Sequence, residues 1–185
     1  VAASGNGVVS LAIAPSGVSA VLDLAGNTLQ TSALTAWVGF DVTNPVVATL
    51  SVATSQPLLT NSAPVSFNVS FSEAVTGVSA GLFSTAGSTA AIGSVAVAPS
   101  PSSMVFRVDV TPTSSGQVLL RIAGGGAVAA VADAAGNPLL FSALSASLAF
   151  DITPPALMSI RLASGQAAIT KVAPVVFNAT FSEPV

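Results

Sequence analysis

Apolar and polar residues alternate along most of this chain. Val65, Phe67, Val69 and Phe71 are interleaved with Ser66, Asn68 and Ser70, which puts one face of an extended strand in a core and the other in water. Met104, Phe106, Val108 and Val110 alternate in the same way with Val105, Arg107, Asp109 and Thr111. Val118, Leu120 and Ile122 alternate with Leu119 and Arg121, and Leu144, Ala146, Leu148 and Phe150 make a further run. Turn-forming clusters separate these runs: A-P-S-P-S-S at 98–103, T-P-T-S-S-G at 111–116 and D-A-A-G-N-P at 133–138. The pattern predicts strands near 46–52, 64–72, 75–83, 90–97, 103–111, 117–123 and 142–151. The Ala-rich stretch Ala123 to Ala135 holds three consecutive glycines and β-branched residues, so a long loop with no more than one helical turn is expected there.

The pattern also recurs. F-D-V-T-N-P at Phe40 to Pro45 returns as F-D-I-T-P-P at Phe150 to Pro155, and A-P-V-S-F-N-V-S-F-S-E-A-V at Ala63 to Val75 returns as A-P-V-V-F-N-A-T-F-S-E-P-V at Ala173 to Val185. Aligned without a gap, 16 of 36 residues are identical between 40–75 and 150–185. D-L-A-G-N at Asp23 matches D-A-A-G-N at Asp133, and G-V-V-S-L-A-I-A at Gly7 matches G-Q-V-L-L-R-I-A at Gly116 with one residue of slippage. A period of 110 residues is longer than a solenoid repeat and suits a whole small domain. About seven short strands per period read as an all-β, immunoglobulin-like Greek-key β-sandwich in tandem array. The expected organisation is the C-terminal part of one domain at 1–42, a complete domain at 43–152 and the N-terminal part of a third at 153–185. Each partial unit lacks strands needed to close a core, so the chain reads as a window on a longer array. Trp37, replaced by Ser147 in the next unit, is expected to be a partly buried packing residue without a repeated role.

Charge is scarce, at 6% of residues against 51% hydrophobic. No apolar run reaches the roughly 18 residues of a membrane-spanning helix. A net charge of -3 and four scattered basic residues, Arg107, Arg121, Arg161 and Lys171, argue against a nucleic-acid partner. With no His, Cys or Tyr, histidine triads, cysteine nucleophiles, histidine-held metals and disulfides are all absent from these residues. The glycines at 124–126 lack the Lys and Ser/Thr of a phosphate loop. Carboxylate pairs can serve hydrolysis, but carboxylates repeated in every unit suit a repeated structural task. The chain is therefore read as non-enzymatic.

F-D-x-T-x-P, then x-P-V-x-F-x-x-x-F-S-E-x-V, then a strand ending in T-P, then D-x-A-G-N resembles the bacterial Ig-like repeats of large surface proteins and adhesins. The resemblance spans essentially the whole chain. It implies a stalk or extender, exported to the cell surface, whose partners are neighbouring Ig-like domains of the same chain. Linkers in related arrays are often stiffened by calcium.

The acidic residues give that implication a place. Six of the seven fall into pairs 110 residues apart, Asp23 with Asp133, Asp41 with Asp151, and Glu73 with Glu183, leaving Asp109 alone. In the expected topology the loop after 64–72, the loop before 142–151 and the linker before 46–52 share one end of the domain. That end gathers Glu73, Asp133 with Asn137, and Asp41 with Thr43, which with backbone oxygens could supply most of the 6–8 ligands of calcium. At the next junction the set would include Asp151 and Glu183, and Asp23 would belong to a junction upstream. A purely structural role is the alternative: Asp133 can close an Asx turn with Gly136 and Asn137 at positive φ, Asp41 can hold linker amides, and Glu73 can cap a loop.

Asn68-Val69-Ser70 and Asn178-Ala179-Thr180 are N-glycosylation acceptor sequences at equivalent positions, and plain outward-facing asparagines are the alternative. The favoured reading is an extracellular spacer or shaft of a surface adhesin or filament. One alternative is a packed subunit of a glycosylated eukaryotic ciliary or cell-wall filament, with other filament subunits as partners. The other is a carbohydrate-binding module that takes cell-surface glycans, disfavoured by nine Phe mostly at core positions and a single Trp.

Overall fold

The computed structural model describes residues 2–13, 21–30, 35–99, 101–124, 128 and 130–185. They form strands β1 (Gly7–Ala12), β2 (Thr35–Phe40), β3 (Val47–Val52), β4 (Leu59–Thr60), β5 (Val65–Phe71), β6 (Phe83–Ser84), β7 (Ile92–Val97), β8 (Val105–Pro112), β9 (Gly116–Ile122), β10 (Ser145–Phe150), β11 (Leu157–Leu162) and β12 (Phe177–Phe181). A single 3-10 turn occupies Ala80–Leu82 among the described residues.

Two four-stranded sheets lie within 43–152. One runs β3-β5-β8-β7 and is antiparallel throughout. The other runs β4-β10-β9-β6, with β4 parallel to β10 and the other pairs antiparallel. One core lies between them. The first sheet contributes Val65, Phe67, Val69, Phe71, Val108 and Val110, the second Val118, Leu120, Ile122, Leu148 and Phe150. These are the in-phase residues of the alternating runs, removed from water as the periodicity requires. Phe71 meets Phe106 edge to face at 5.8 Å, a favoured aromatic geometry.

Two expectations change. The strand expected near 75–83 is reduced to β6, preceded by a bridge from Thr76 to Ala132 and the 3-10 turn. Val75, Val78, Leu82 and Phe83 do not follow a period of two, and Gly77 takes φ 81° where the Ala130 carbonyl leaves no room for a side chain. Conversely, β4 arises where no strand was expected. A turn at 53–56, closed by the Gln56 amide on the Ala53 carbonyl (2.8 Å), carries the chain from the first sheet to the second. The helical turn expected within 123–135 falls partly on 125–127 and 129, outside the described residues, while Val131 is fully buried.

The flanking segments form pairs of strands, β1 with β2 and β11 with β12. Their apolar residues are exposed where the equivalents in 43–152 are buried: Leu11 is 68% exposed against 0% for Leu120, and Phe177 59% against 0% for Phe67. Trp37 is 74% exposed. It shares the phase of Ser147 rather than that of buried Leu148, so it lies on an outer face and the expected packing role is not met. The repeat extends to hydrogen bonds. Ser72 Oγ accepts from the Val46 amide as Ser182 Oγ does from Ala156, and Gln56 Oε1 accepts from the Ser66 amide as Gln166 Oε1 does from Val176.

Candidate functional site

Residues 41–45 contain no strand, yet segments on both sides of them in the chain hold them by hydrogen bonds. On the upstream side, the Val42 amide donates to Asn6 Oδ1 (2.9 Å) and Asn6 Nδ2 donates to Thr43 Oγ1 (2.6 Å). Asp41 Oδ1 accepts from the Thr43 amide (2.9 Å), closing a local turn. On the downstream side, Asn44 Nδ2 donates to the Pro138 carbonyl (2.7 Å), the Leu140 amide to the Pro45 carbonyl (2.9 Å), and Asn137 Nδ2 to the Asp41 carbonyl (3.2 Å).

Asp133 opens the loop that carries Asn137. Its Oδ1 accepts from the amides of Ala135 (2.8 Å) and Asn137 (2.9 Å), and its Oδ2 from Asn137 Nδ2 (2.8 Å). Gly136 sits at φ 92°, where a side chain would be strained. Asp23 makes the same three bonds with Ala25 and Asn27. The Asn137 side-chain bond, reinforced by the backbone amides, holds the Asp133 carboxyl below its usual pKa despite burial, because all these donors favour the charged form. Asp133 thus closes an Asx turn, the structural alternative, but with Gly136 alone at positive φ; Asn137, expected there too, is not. Asn137, expected as an oxygen ligand, offers its donor nitrogen to the cluster.

Glu73 follows β5 and accepts no hydrogen bond among the described residues. Its pKa is raised, first by burial and then by the charges of Asp41 and Asp133. One carboxylate oxygen from each of Asp41, Glu73 and Asp133 lies within 4.8 Å of the others. They border an open cleft also lined by Asn6, Gly7, Gly39 and Phe40. The set expected from three separate segments is therefore brought together. Chemically it is a concentration of negative charge with hard oxygen donors and one carboxylate left without a donor.

The second junction repeats the grip with a different residue. Ser115 Oγ lies 3.0 Å from Asp151 Oδ1 and 2.9 Å from Thr153 Oγ1, and it accepts from the Ile152 amide (3.0 Å). The Thr153 amide donates to Asp151 Oδ1 (2.9 Å). That amide first, and Ser115 second, hold the Asp151 carboxyl below its usual pKa. Among the described residues neither Asp151 nor Glu183 belongs to a group of three acids. Asn6, Asn44 and Ser115 were not singled out by the sequence. Asn6 and Ser115 each precede a repeated glycine, but they differ in type and the one-residue slippage separates them from the period. Asn68 and Asn178 lie on β5 and β12, away from the junctions. Compared with known proteins, the chain matches no family, no curated protein and no solved structure.

Proposed function

We propose that this chain is part of an extracellular tandem array of immunoglobulin-like units that acts as a spacer or shaft at a cell surface. The strand order supports the fold. The first, second, fifth and fourth main strands of 43–152 form one sheet, and β6, β9 and β10 form the other with β4 added, which resembles the immunoglobulin arrangement. The observation that carries the function is the linker itself, hydrogen-bonded to the units on both sides by Asn6, Asn44 and Asn137. A spacer needs a defined angle between neighbours, and a tethered linker supplies it. Repetition of the grip at Ser115 extends the same geometry along the chain. The test is small-angle scattering of the chain and of an Asn6→Ala, Asn44→Ala, Asn137→Ala variant. The expected result is an extended particle of fixed length whose mean length falls in the variant. A wild-type profile already matching a freely jointed chain overturns the proposal.

The unpaired charge at Glu73 favours a second element, a calcium ion in the cleft that stiffens the same joint. Asp41, Glu73 and Asp133 would supply carboxylate oxygens, and water the rest. Millimolar calcium should then raise the melting midpoint of the wild type and leave Glu73→Gln unmoved. A midpoint that ignores calcium and chelator removes the ion and leaves the hydrogen-bonded joint in place.

A further inference from the structure

We infer that Asn68 and Asn178 carry N-linked oligosaccharide, so that the array bears one sugar chain on the same face of each successive unit. The inference rests on the export of the chain proposed above. The chain has seven asparagines. Asn6, Asn27, Asn44, Asn61 and Asn137 each hold a side-chain hydrogen bond. Asn68 and Asn178 hold none among the described residues, and these are the two that begin an acceptor sequence.

Their position makes this informative. Asn68 lies on β5, an inner strand, opposite Ser51 of β3 and Arg107 of β8. Asparagine is depleted in strands because its side chain competes for backbone hydrogen bonds and packs poorly on a pleated surface. An asparagine at the middle of such a strand with no bond to make has no structural task. Its neighbours in the two copies vary, Ser66 against Val176 and Val69 against Ala179, while Ser70 becomes Thr180 and keeps the hydroxyl. The acceptor sequence is thus retained, alongside the core residues Phe67 and Phe71, which return as Phe177 and Phe181, and a hydroxyl that in Ser70 also bonds Thr49 Oγ1.

The surroundings leave room for a sugar. Residues 65, 66, 67, 69 and 71 are buried, whereas Asn68 and Ser70 are half-buried on the outer face. Asn68 opens onto a polar trough also lined by Thr54, Ser55, Gln56 and Arg107, where the exposed Thr54 and Ser55 hydroxyls and the Arg107 guanidinium could hydrogen-bond a first pyranose. A surface this poor in charge also needs another source of hydration.

The transfer is balanced with a polyprenyl-diphosphate oligosaccharide as donor. Asn Nδ2 forms a bond to the anomeric carbon as the bond from that carbon to the diphosphate oxygen breaks. The lipid diphosphate leaves with the electron pair, and the amide nitrogen loses one proton to a base of the transferase.

The experiment uses protein recovered from the outer surface of the cells that make it. Peptides covering Asn68 and Asn178 are analysed by mass before and after peptide-N-glycosidase in heavy-oxygen water. The expected result is that both appear only after treatment, with each asparagine converted to labelled aspartate. Asn68→Gln should remove one glycan mass from the intact protein and leave the melting of the deglycosylated protein unchanged. Unmodified Asn68 in surface protein, or modification of Asn178 alone, overturns the inference and leaves the spacer standing. Protein found only inside the cell overturns both.

Discussion

Replacing Gly116 with alanine tests the joint from a residue that makes no side-chain contact with it. Gly116 begins β9 with φ 148°, a region that L side chains rarely adopt, and occupying it costs about 1–3 kcal/mol. A Cβ built there would stand 2.5 Å from the Ala90 nitrogen and 2.8 Å from the Thr89 carbonyl carbon. Both are backbone atoms, so the strand must move by several tenths of an ångström, and such overpacking costs about 1–3 kcal/mol more. The move also strains the bond from the Gln117 amide to Thr89 Oγ1 (2.7 Å). A total of about 4 kcal/mol is expected, or a fall of about 15 °C in the melting of a unit this size. Ser115, the adjacent residue, would shift with the strand and loosen its hold on Ile152 and Thr153. Gly7 is the internal control: it has φ 156°, but a Cβ added to it would meet nothing within 4 Å, so Gly7→Ala should leave the main transition in place. The assay is circular dichroism against temperature and urea, with scattering for the joint. A Gly116→Ala protein within about 1 kcal/mol of wild type would refute the claim that this glycine is required by its backbone and neighbours.

The core makes a second paired prediction. Phe67→Ala should cost about 3–5 kcal/mol by urea denaturation, whereas exposed Phe177→Ala should change the main transition by less than about 0.5 kcal/mol. Asn137→Ala removes side-chain bonds to Asp133 and to the Asp41 carbonyl, which should cost about 2 kcal/mol and shorten the particle in scattering; Asn27→Ala, exposed, should do neither. The pH profile follows from Asp133. Its folded pKa lies below the ordinary aspartate value of 3.8, so its contribution is present above that value and is lost as pH falls through the lower native one; the Asn137→Ala melting curve should fall less steeply with acid. Glu73 has the opposite sign. Its raised pKa penalises the folded state at neutral pH, so in chelator Glu73→Gln should melt higher than wild type at pH 7, and the advantage should vanish in acid.

Most strands were legible because the core is built from uninterrupted alternation. Val65 to Phe71 and Val118 to Ile122 declare their buried face residue by residue. The region 75–83 was not legible, because glycine conformation and a loop crossing decide it rather than side-chain period. β4 is too short to carry a pattern and exists only through its pairing with β10. The three carboxylates could be gathered from topology alone, since loops at one end of a sandwich must be neighbours. The linker grip could not. It depends on which turn residue reaches which amide, and Asn6 and Ser115 accept the equivalent amide with different chemistry, so no repeated letter marks them.

The parallel pairing of β4 with β10 has a mechanical consequence. The Ala149 amide bonds the Leu58 carbonyl, the Asp151 amide the Thr60 carbonyl, and the Leu140 amide the Pro45 carbonyl, linking the beginning of the unit to its end. Tension applied through the two linkers would draw these segments past each other lengthwise. All three bonds would then be loaded together rather than opened in succession, so the unit would resist stretching until a single threshold force and then yield abruptly.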